Sequence, residues 1–242
     1  MSESVKPYKD SDLSKKQQVT AMFDTISKEY DGLNRVITFG IDRKWRNKVV
    51  KLVAATHPKS ILDIATGTGD LAIALAKTKA ERIVGLDLSE GMLSVGRKKI
   101  NRKKLSRQIE MVTGDSENLS FEDNSFDAIT VAFGIRNFDD LEKGLKEILR
   151  VLKPSGIFVI LETSVPSKSP YKQGYNLYTK YLLPLIGKLF SRDKSAYSYL
   201  SESAKNFPYG EALNNILTEI GFINAMALPQ TFGSATIYIA SK

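Results

Sequence analysis

The sequence predicts an α/β domain in which a mostly parallel seven-stranded sheet is covered by helices and closed by an antiparallel hairpin. From residue 60 onward, short apolar runs alternate with longer segments of helical periodicity, an order that produces parallel strands joined by crossover helices. Near the C-terminus, the apolar runs Phe222 to Leu228 and Thr231 to Ala240 are separated only by Pro229 and Gln230. So short a connection requires antiparallel pairing.

Helices are expected before the sheet. Apolar residues recur at helical spacing between Ser14 and Tyr30, and Asp42 is placed to cap a second helix. Residues 1–14 are polar, mixed in charge and without an apolar segment typical of a signal peptide, so we expect a flexible tail there. The remaining residues, 15–242, are expected to form a single domain.

The parallel part of the sheet has a regular predicted order. Strands are expected near residues 60–64, 82–87, 108–113, 126–132 and 156–162. Helices are expected near residues 69–79, 90–103 and 139–152. Ligands of such sheets bind beyond the carboxyl ends of the strands, so the residues after each strand are the first candidates for a site.

We predict a helical insertion at residues 163–208, because this segment is too long for a turn and shows helical patterning. Tyr171, Tyr175 and Tyr178 recur at helical spacing, and an apolar run follows at residues 182–186. Core packing is the ordinary explanation for such a stripe. The alternative is a lid over the site that accepts an apolar substrate, with lysines facing anionic headgroups. The lysines in question are Lys168, Lys172, Lys180 and Lys188.

A double-glycine turn with a carboxylate on each side directly follows the first predicted strand. Its sequence is Asp63-Ile64-Ala65-Thr66-Gly67-Thr68-Gly69-Asp70. The glycines let the backbone turn tightly and approach a ligand, and the next helix supplies free N–H groups. Roughly 20 residues after the turn, the second strand ends in Asp87, an acid at the position that accepts ribose hydroxyls.

Two classes of cofactor fit this turn. Gly67-x-Gly69-x-x-Ala72 matches the relaxed dinucleotide fingerprint, which favours a nicotinamide oxidoreductase. Asp63 and Asp70 would, however, repel a pyrophosphate by about 3 kcal/mol each at about 5 Å and an effective dielectric of about 20. S-adenosylmethionine carries a positive sulfonium and ammonium, and its carboxylate can accept from the N–H groups. The flanking carboxylates therefore favour S-adenosylmethionine as the cofactor.

The third predicted strand is followed by Gly114-Asp115-Ser116-Glu117. Asp115 is placed there to accept a hydrogen bond from an adenine amino group, and Ser116 to supply backbone contacts. The alternative is that Asp115 caps a short turn.

The composition excludes several kinds of site. The chain has no cysteine, which rules out disulfides, thiolate nucleophiles and cysteine-bound metals and fits a reducing cytoplasm. Its one histidine, His57, precedes Pro58 in a connecting segment and is expected to be solvated. We predict no metal site. No apolar stretch reaches the roughly 18 residues of a membrane span.

The net charge of +8 indicates an anionic partner, either nucleic acid or anionic lipid, unless it reflects only a basic surface. The densest basic cluster consists of Arg97, Lys98, Lys99, Arg102, Lys103, Lys104 and Arg107. It has no interleaved aromatic residues that would stack on bases, so we expect no nucleic-acid partner.

Several motifs together resemble the ubiquinone/menaquinone biosynthesis C-methyltransferase family. They are Asp63-x-Ala65-x-Gly67-Thr68-Gly69-Asp70, Gly114-Asp115-Ser116-Glu117-Asn118-Leu119-x-Phe121, Phe133-Gly134-Ile135-Arg136-Asn137 and Arg150-Val151-Leu152-Lys153-Pro154-x-Gly156. The segment Phe23-Asp24-x-Ile26-Ser27-x-x-Tyr30-Asp31-x-x-Asn34 is also similar to that family's N-terminal region. The likeness runs from about residue 17 to the C-terminus.

This resemblance implies a class I methyltransferase (Rossmann-like) fold and methylation of a ring carbon on a polyprenylated quinol. It also implies cofactor contacts at Thr68, Asp87, Asp115 and Ser116. Family members often carry serine just before Phe-Gly, where this chain has Ala132, so a hydroxyl contact to the cofactor is missing there.

The chemistry of ring methylation makes a demand on the end of the fourth strand. An aromatic carbon becomes nucleophilic once an adjacent hydroxyl loses its proton, so the site has to stabilise an oxyanion. Arg136 is always protonated and is our candidate for that role, with Asn137 and Tyr30 positioning the ring. The alternative is that Arg136 holds a loop through an ion pair.

From the resemblance we expect conversion of a demethylmenaquinol, a 2-polyprenyl-1,4-naphthoquinol, to menaquinol, in the cytoplasm or at the inner face of an anionic membrane. The residues do not separate this substrate from a benzoquinol of ubiquinone biosynthesis. The sequence also leaves open an RNA methyltransferase, a nicotinamide oxidoreductase and a catalytically silent nucleotide-binding protein. It does not indicate the prenyl length, the general base or the oligomeric state.

Overall fold

A single mixed sheet organises the computed structural model, which describes residues 5–8, 11–182 and 194–242. Its strands are β1 (Ser60–Ile64), β2 (Arg82–Asp87), β3 (Ile109–Thr113), β4 (Phe126–Ala132), β5 (Leu152–Thr163), β6 (Ile223–Gln230) and β7 (Ala235–Ser241). They lie in the order β3-β2-β1-β4-β5-β7-β6. The first five strands are parallel, and β7 is antiparallel to both β5 and β6. The predicted parallel sheet with a C-terminal antiparallel hairpin is confirmed.

The helices precede the sheet, alternate with its strands and follow β5. In the described residues they are α1 (Lys15–Ile26), α2 (Tyr30–Ile37), α3 (Asp42–Ala54), α4 (Asp70–Leu75), α5 (Glu90–Arg102), α6 (Leu141–Val151), α7 (Tyr171–Leu177), α8 (Lys194–Asn206) and α9 (Glu211–Ile220). A short 3₁₀ turn at Ile135–Asn137 follows β4, and a π-helical turn at Tyr178–Leu182 follows α7.

The N-terminal helical segment is broken where the sequence pattern predicted continuity. Helix α1 starts after Ser14, whose side chain accepts from Gln17 in a capping box, and it ends at Ile26. The Ser27 hydroxyl then donates to the Asp24 carbonyl oxygen at 2.9 Å, and α2 begins three residues later. The N-terminal region therefore contains two helices, α1 and α2, in place of one continuous helix.

Two smaller predictions were wrong. Asp42 is the first residue of α3 rather than its cap, because its carboxylate accepts from the Thr38 hydroxyl at 2.8 Å and pairs with Arg46. Pro229 and Gln230 extend β6 instead of forming the hairpin connection, which is the 3₁₀ turn Thr231–Gly233. Neither change alters the order of the strands.

Apolar side chains cover both faces of the sheet. One cluster joins the strands to α6 and α9 and includes Leu145, Phe158 and Leu217, each with no exposed surface. The other joins them to α3, α4 and α5 and includes Val49 and Leu75, also fully buried. Burial on both faces is what holds the parallel strands in register.

The parallel register brings four loops to one edge of the sheet. Ile64 at the end of β1 pairs with Leu86 of β2 and Val131 of β4, and Asp87 pairs with Thr113 at the end of β3. The loops after β1, β2, β3 and β4 therefore meet at the carboxyl edge, as the sequence predicted.

Helix α5 packs closely on the glycine loop because Gly96 has no side chain. A Cβ atom at Gly96 would lie 2.5 Å from Met111 Cε and 3.2 Å from the backbone of Thr68. The close approach supports the loop from behind.

Substituting Gly96→Ala should lower the free energy of unfolding by about 1–3 kcal/mol, because the added methyl group forces α5 away from the loop. Gly32→Ala is the matched control, since nothing lies within 4 Å of a Cβ atom at that position in α2. It should raise stability by roughly 0.5–1 kcal/mol. Urea unfolding of both variants measures the difference, and equal stability of the two would contradict close packing at Gly96.

Candidate active site

Two adjoining pockets open at the carboxyl edge of the sheet. The first, here called the loop pocket, has about 690 Å³ of empty space and is lined by the loops after β1, β2 and β3. The second, the aromatic pocket, has about 1580 Å³ and includes Trp45, Tyr175 and Phe232 in its wall. Tyr30 and Phe133 line both. A ligand in one pocket therefore lies next to a ligand in the other.

The floor of the loop pocket is built from the β1 turn and the end of β2. Gly67 has a φ of 56°, a conformation that glycine adopts without strain, and its amide donates to Asp87 Oδ2 at 2.8 Å. The Ser89 amide donates to Asp87 Oδ1 at 2.9 Å. Burial raises the pKa of Asp87, and these two amides oppose that rise. Gly67 and Asp87 both line the pocket, and their contact with the cofactor stays a prediction.

Asp63 lies behind the loop instead of facing a ligand. Its side chain is 1% exposed, and its two oxygens accept from the hydroxyls of Thr66 and Thr130, each at 2.6 Å. Burial raises the pKa of Asp63 to about 6. The carboxylate supports the turn through Thr66, and contact between Asp63 and the cofactor stays a prediction.

Thr68 and Asp70 belong to a charge cluster that faces away from the loop pocket. The Thr68 hydroxyl donates to Asp31 Oδ1 at 2.5 Å, and Lys99 Nζ lies 2.6 Å from Asp31 Oδ2 and pairs with Asp70 as well. Burial acts to raise the pKa of Asp70, but Lys99 outweighs it and the pKa is lowered. The cluster joins α2, α4 and α5. That Thr68 contacts the cofactor stays a prediction.

Both carboxylates that flank the glycine turn have partners within the protein. Asp63 is enclosed by hydroxyl donors, and the charge of Asp70 is matched by Lys99. The carboxylates that do line the loop pocket are Asp87 and Glu117. Gly69, with a φ of 76°, turns the chain into α4.

The sequence did not indicate Glu117 as a site residue. In the structure it is 4% exposed and lines the loop pocket. Its Oε1 accepts from the Asp139 amide at 2.7 Å, and its Oε2 accepts from Lys16 Nζ at 2.9 Å. Asp115 also binds Lys16, at 2.8 Å, and accepts from the Glu117 amide in the turn. Ser116 lines the pocket beside them, whereas the Asp115 side chain faces Lys16.

Helix α1 covers the loop pocket. Lys16, Thr20 and Phe23 line its roof. At the far end of the helix, Asp24 Oδ1 accepts from the Ser89 hydroxyl at 2.5 Å and from the Gly91 amide at 2.9 Å. Lys16 and Asp24, near the two ends of α1, thus bind residues next to the expected cofactor contacts. The N-terminal motif by itself did not predict that α1 covers this pocket.

Arg136 and Asn137 are neighbours in the turn after β4 but line different pockets. Arg136 lines the aromatic pocket, and its side chain is 8% exposed and pairs with Glu162. Asn137 lines the loop pocket and accepts from the Tyr199 hydroxyl at 3.1 Å. Tyr30 stands at the junction, where burial raises its pKa. The ion pair expected as the alternative role of Arg136 is present, and its cation also faces the pocket.

The helical insertion contributes to the aromatic pocket. Tyr171, Tyr175 and Tyr178 line it from α7 and the π-helical turn, and α8 contributes Leu200 and Ala204. Residues 183–186 of the predicted apolar run and Lys188 lie outside the described residues. That the insertion acts as a lid stays a prediction.

The members of the basic cluster differ in their exposure and in their ion pairs. Lys99 is half-buried in its contacts with Asp31 and Asp70, and Arg97 pairs with Glu90. The remaining members are exposed: Lys98, Arg102, Lys103, Lys104 and Arg107. In the part of the chain that the structure describes, no group of His, Asp and Glu residues is arranged to hold a metal ion, and no helix is long and apolar enough to cross a membrane.

Comparisons with known proteins show the family and the fold. The model of the ubiE/COQ5 methyltransferase family matches residues 11–242. The chain belongs to this family. It is 48% identical over 241 residues to the demethylmenaquinone methyltransferase of Bacteroides fragilis, covering 99% of this chain and 98% of that protein. It is 40% identical over 242 residues to the demethylmenaquinone methyltransferase of Porphyromonas gingivalis, with 99% and 98% covered.

A solved structure shows the same fold. The SAM-dependent methyltransferase of Thermotoga maritima, described as a possible histamine N-methyltransferase, has a TM-score of 0.63 with this chain. The likeness covers 92% of this chain and 99% of that one at 20% identity. The fold is that of the class I methyltransferases, as the family resemblance implied.

Asp63→Asn should change how stability depends on pH. A pKa raised to about 6 in the folded state means that the folded protein binds a proton more tightly than the unfolded chain. The contribution of Asp63 to stability is therefore greatest at low pH and falls as pH rises from about 4 to about 6.

The free energy of unfolding of the wild type, minus that of Asp63→Asn, should be larger at pH 4.5 than at pH 7.5 by about 2 kcal/mol. Urea unfolding at the two pH values measures this difference, because the other titrating groups are common to both proteins. A difference that does not change with pH would show that Asp63 titrates normally.

Proposed function

We propose that this protein is an S-adenosylmethionine-dependent C-methyltransferase that converts a demethylmenaquinol, a 2-polyprenyl-1,4-naphthoquinol, to menaquinol. The observation that carries the proposal is the junction at Tyr30 and Phe133, where a pocket with the features of a nucleoside site adjoins an aromatic pocket that contains a buried arginine. Relatives that are 40% and 48% identical across nearly the whole chain bear the corresponding name.

The loop pocket fits the cofactor. Asp87 is held by two backbone amides at the end of β2, the position that suits ribose hydroxyls. Met92 and Leu88 supply an apolar wall for an adenine ring, and the charge of Glu117 is matched by Lys16, which also lines the pocket. When bound, S-adenosylmethionine supplies an electrophilic methyl group. A phosphate-bearing coenzyme would meet the Asp87 carboxylate in this pocket.

The aromatic pocket fits a quinol. Trp45, Phe133 and Tyr175 surround a space large enough for a bicyclic ring, and Arg136 is the buried cation in its wall. Arg136 stabilises the oxyanion formed when the quinol hydroxyl loses its proton, which makes the adjacent ring carbon nucleophilic. Asn137 and Tyr30 border the junction between the pockets and position the ring toward the cofactor.

Arg136→Ala should lower turnover by about 100-fold or more, because an oxyanion in a largely apolar pocket loses its charge partner. Affinity for S-adenosylmethionine should change by less than about twofold, since Arg136 lines only the aromatic pocket. Arg102→Ala, at an exposed position on α5, is the control.

Methyl transfer from labelled S-adenosylmethionine to demethylmenaquinol in detergent measures turnover, and calorimetry measures affinity. A demethylated benzoquinol and RNA serve as competing acceptors in the same assay. Full turnover by a folded Arg136→Ala protein would remove this residue from the mechanism, and methylation of RNA in preference to quinol would overturn the proposed function.

We further propose that the mouth of the aromatic pocket contacts an anionic membrane, where a polyprenyl quinol is dissolved. Large apolar side chains are exposed there: Phe39 is 70% and Phe232 66% exposed, and both line the pocket. Leu177 and Tyr181 follow on α7 and the π-helical turn, at 63% and 60%. Such a patch indicates an interaction site. The lysines predicted to face headgroups include the exposed Lys168, Lys172 and Lys180.

The double variant Phe39→Ser/Phe232→Ser should bind vesicles containing phosphatidylglycerol about tenfold more weakly than the wild type, because less apolar surface enters the interface. Its matched control is Ile223→Ser/Met226→Ser, which removes exposed apolar side chains from the edge strand β6. Co-sedimentation measures binding. Equal losses in both double variants would argue against docking through the pocket mouth.

A further inference from the structure

A buried ion pair of unusual geometry lies in the wall of the aromatic pocket. Glu162, the penultimate residue of β5, is 1% exposed, and its Oε1 contacts Arg136. The same oxygen accepts from the Thr163 amide at 2.7 Å and from the Thr163 hydroxyl at 3.1 Å. One oxygen of the carboxylate therefore carries all of these contacts.

Each residue of the pair also has one buried polar atom without a hydrogen-bond partner among the described residues. Glu162 Oε2 and Arg136 Nε are both buried, and neither has a hydrogen bond with any residue that the structure describes. A pair that served only to close a loop would be expected to use both oxygens and two guanidinium nitrogens, since bidentate pairing is the stronger arrangement. Here the guanidinium is held through one nitrogen, which leaves further donors for a substrate.

The tyrosines around the pair do not compete with its charge, and Arg46 and Asp42, which also line the pocket, pair with each other. Tyr30 on α2, Tyr175 on α7, Tyr199 on α8 and Tyr238 on β7 interact electrostatically with Arg136 or Glu162. Burial raises the pKa of each of these tyrosines, so they are neutral at physiological pH. Burial acts against the charge of Arg136, but attraction by Glu162 exceeds it and raises the pKa of the guanidinium.

We propose that Glu162 is a positioning residue for ring methylation: it holds Arg136 through one nitrogen and sets the net charge that the bound quinol experiences. The proposal rests on the proposed function of the aromatic pocket. Glu162 is not among the residues that line that pocket, so it acts through Arg136, which does line it. In this pair the positive Arg136 lies next to the pocket, and the negative Glu162 lies behind it.

This arrangement determines the direction in which the pKa of a bound phenol shifts. The arginine favours the ionised form of a phenol in the pocket, and the glutamate behind it reduces that effect. Removing the charge of Glu162 should therefore favour the phenolate further, whereas removing Arg136 should disfavour it. A residue that only supported the fold would shift neither equilibrium.

The test is a titration of 1-naphthol bound to the protein, because its anion absorbs at a longer wavelength than its neutral form. In Glu162→Gln the pKa of the bound naphthol should fall by about one unit relative to the wild type. In Arg136→Gln it should rise. With demethylmenaquinol as substrate, the acidic limb of the pH profile of kcat should shift in the same directions.

Glu147→Gln is the matched control, since Glu147 pairs with Arg150 on α6, outside both pockets. It should leave the pKa of bound naphthol unchanged. Glu162→Asp is the second variant, in case the uncompensated arginine prevents folding of Glu162→Gln. It keeps the charge but withdraws it by one methylene, so the pKa should fall by a smaller amount.

An unchanged pKa in folded Glu162→Gln and in Glu162→Asp, alongside a rise in Arg136→Gln, would overturn the role of Glu162. A fall in Glu147→Gln equal to that in Glu162→Gln would do the same. Absence of quinol methylation by the wild type would instead remove the proposed function, and the naphthol titration would still decide whether Glu162 sets the charge of the pocket.

Discussion

The hydrogen bond from the Gly67 amide to Asp87 Oδ2, at 2.8 Å, joins the turn after β1 to the end of β2. A second bond, from the Thr66 amide to the Leu86 carbonyl oxygen at 3.0 Å, continues the contact along the strands. Together they hold the glycine turn against the carboxylate at the floor of the loop pocket. Asp63, buried behind the turn, holds the Thr66 side chain from the other side. These bonds join the two loops that form the floor of the loop pocket.

The N-terminal helices complete the site by contacting the same loops. Lys99 on α5 links Asp31 of α2 with Asp70 of α4, and Asp31 is the neighbour of Tyr30. The charge cluster thus holds Tyr30 at the junction of the two pockets. Helix α1 is tied down at Asp24 and covers the loop pocket. A cofactor that enters this pocket meets surfaces from both the core sheet and the helices that precede it.

Two ion pairs near the pockets join different elements, while exposed lysines such as Lys98 and Lys103 carry positive charge at the surface. Asp70 is matched by Lys99, and Arg136 by Glu162. Pairing is what allows a charged guanidinium to remain in an apolar wall, since an isolated charge there would be strongly unfavourable. The pockets therefore receive their charge from a few oriented groups, and the net charge of the chain has little bearing on the chemistry.

The local sequence pattern was sufficient to predict the strands, the glycine turn and the position of Asp87, and to recognise the family motifs. The reason is that alternation of apolar runs and turn residues is encoded within short segments. Spacing along the chain could not show which way a side chain faces. Asp63 lies near the end of β1 and Thr68 in the turn, as expected, yet hydrogen bonds join them to Thr130 and Asp31, far away in sequence. Glu162 could not be found at all from the sequence, since its partner is 26 residues away on another strand end. The chain by itself determined the sheet and the location of the site at its carboxyl edge. Only the tertiary structure decided which carboxylates line the loop pocket, because that depends on partners brought together by packing.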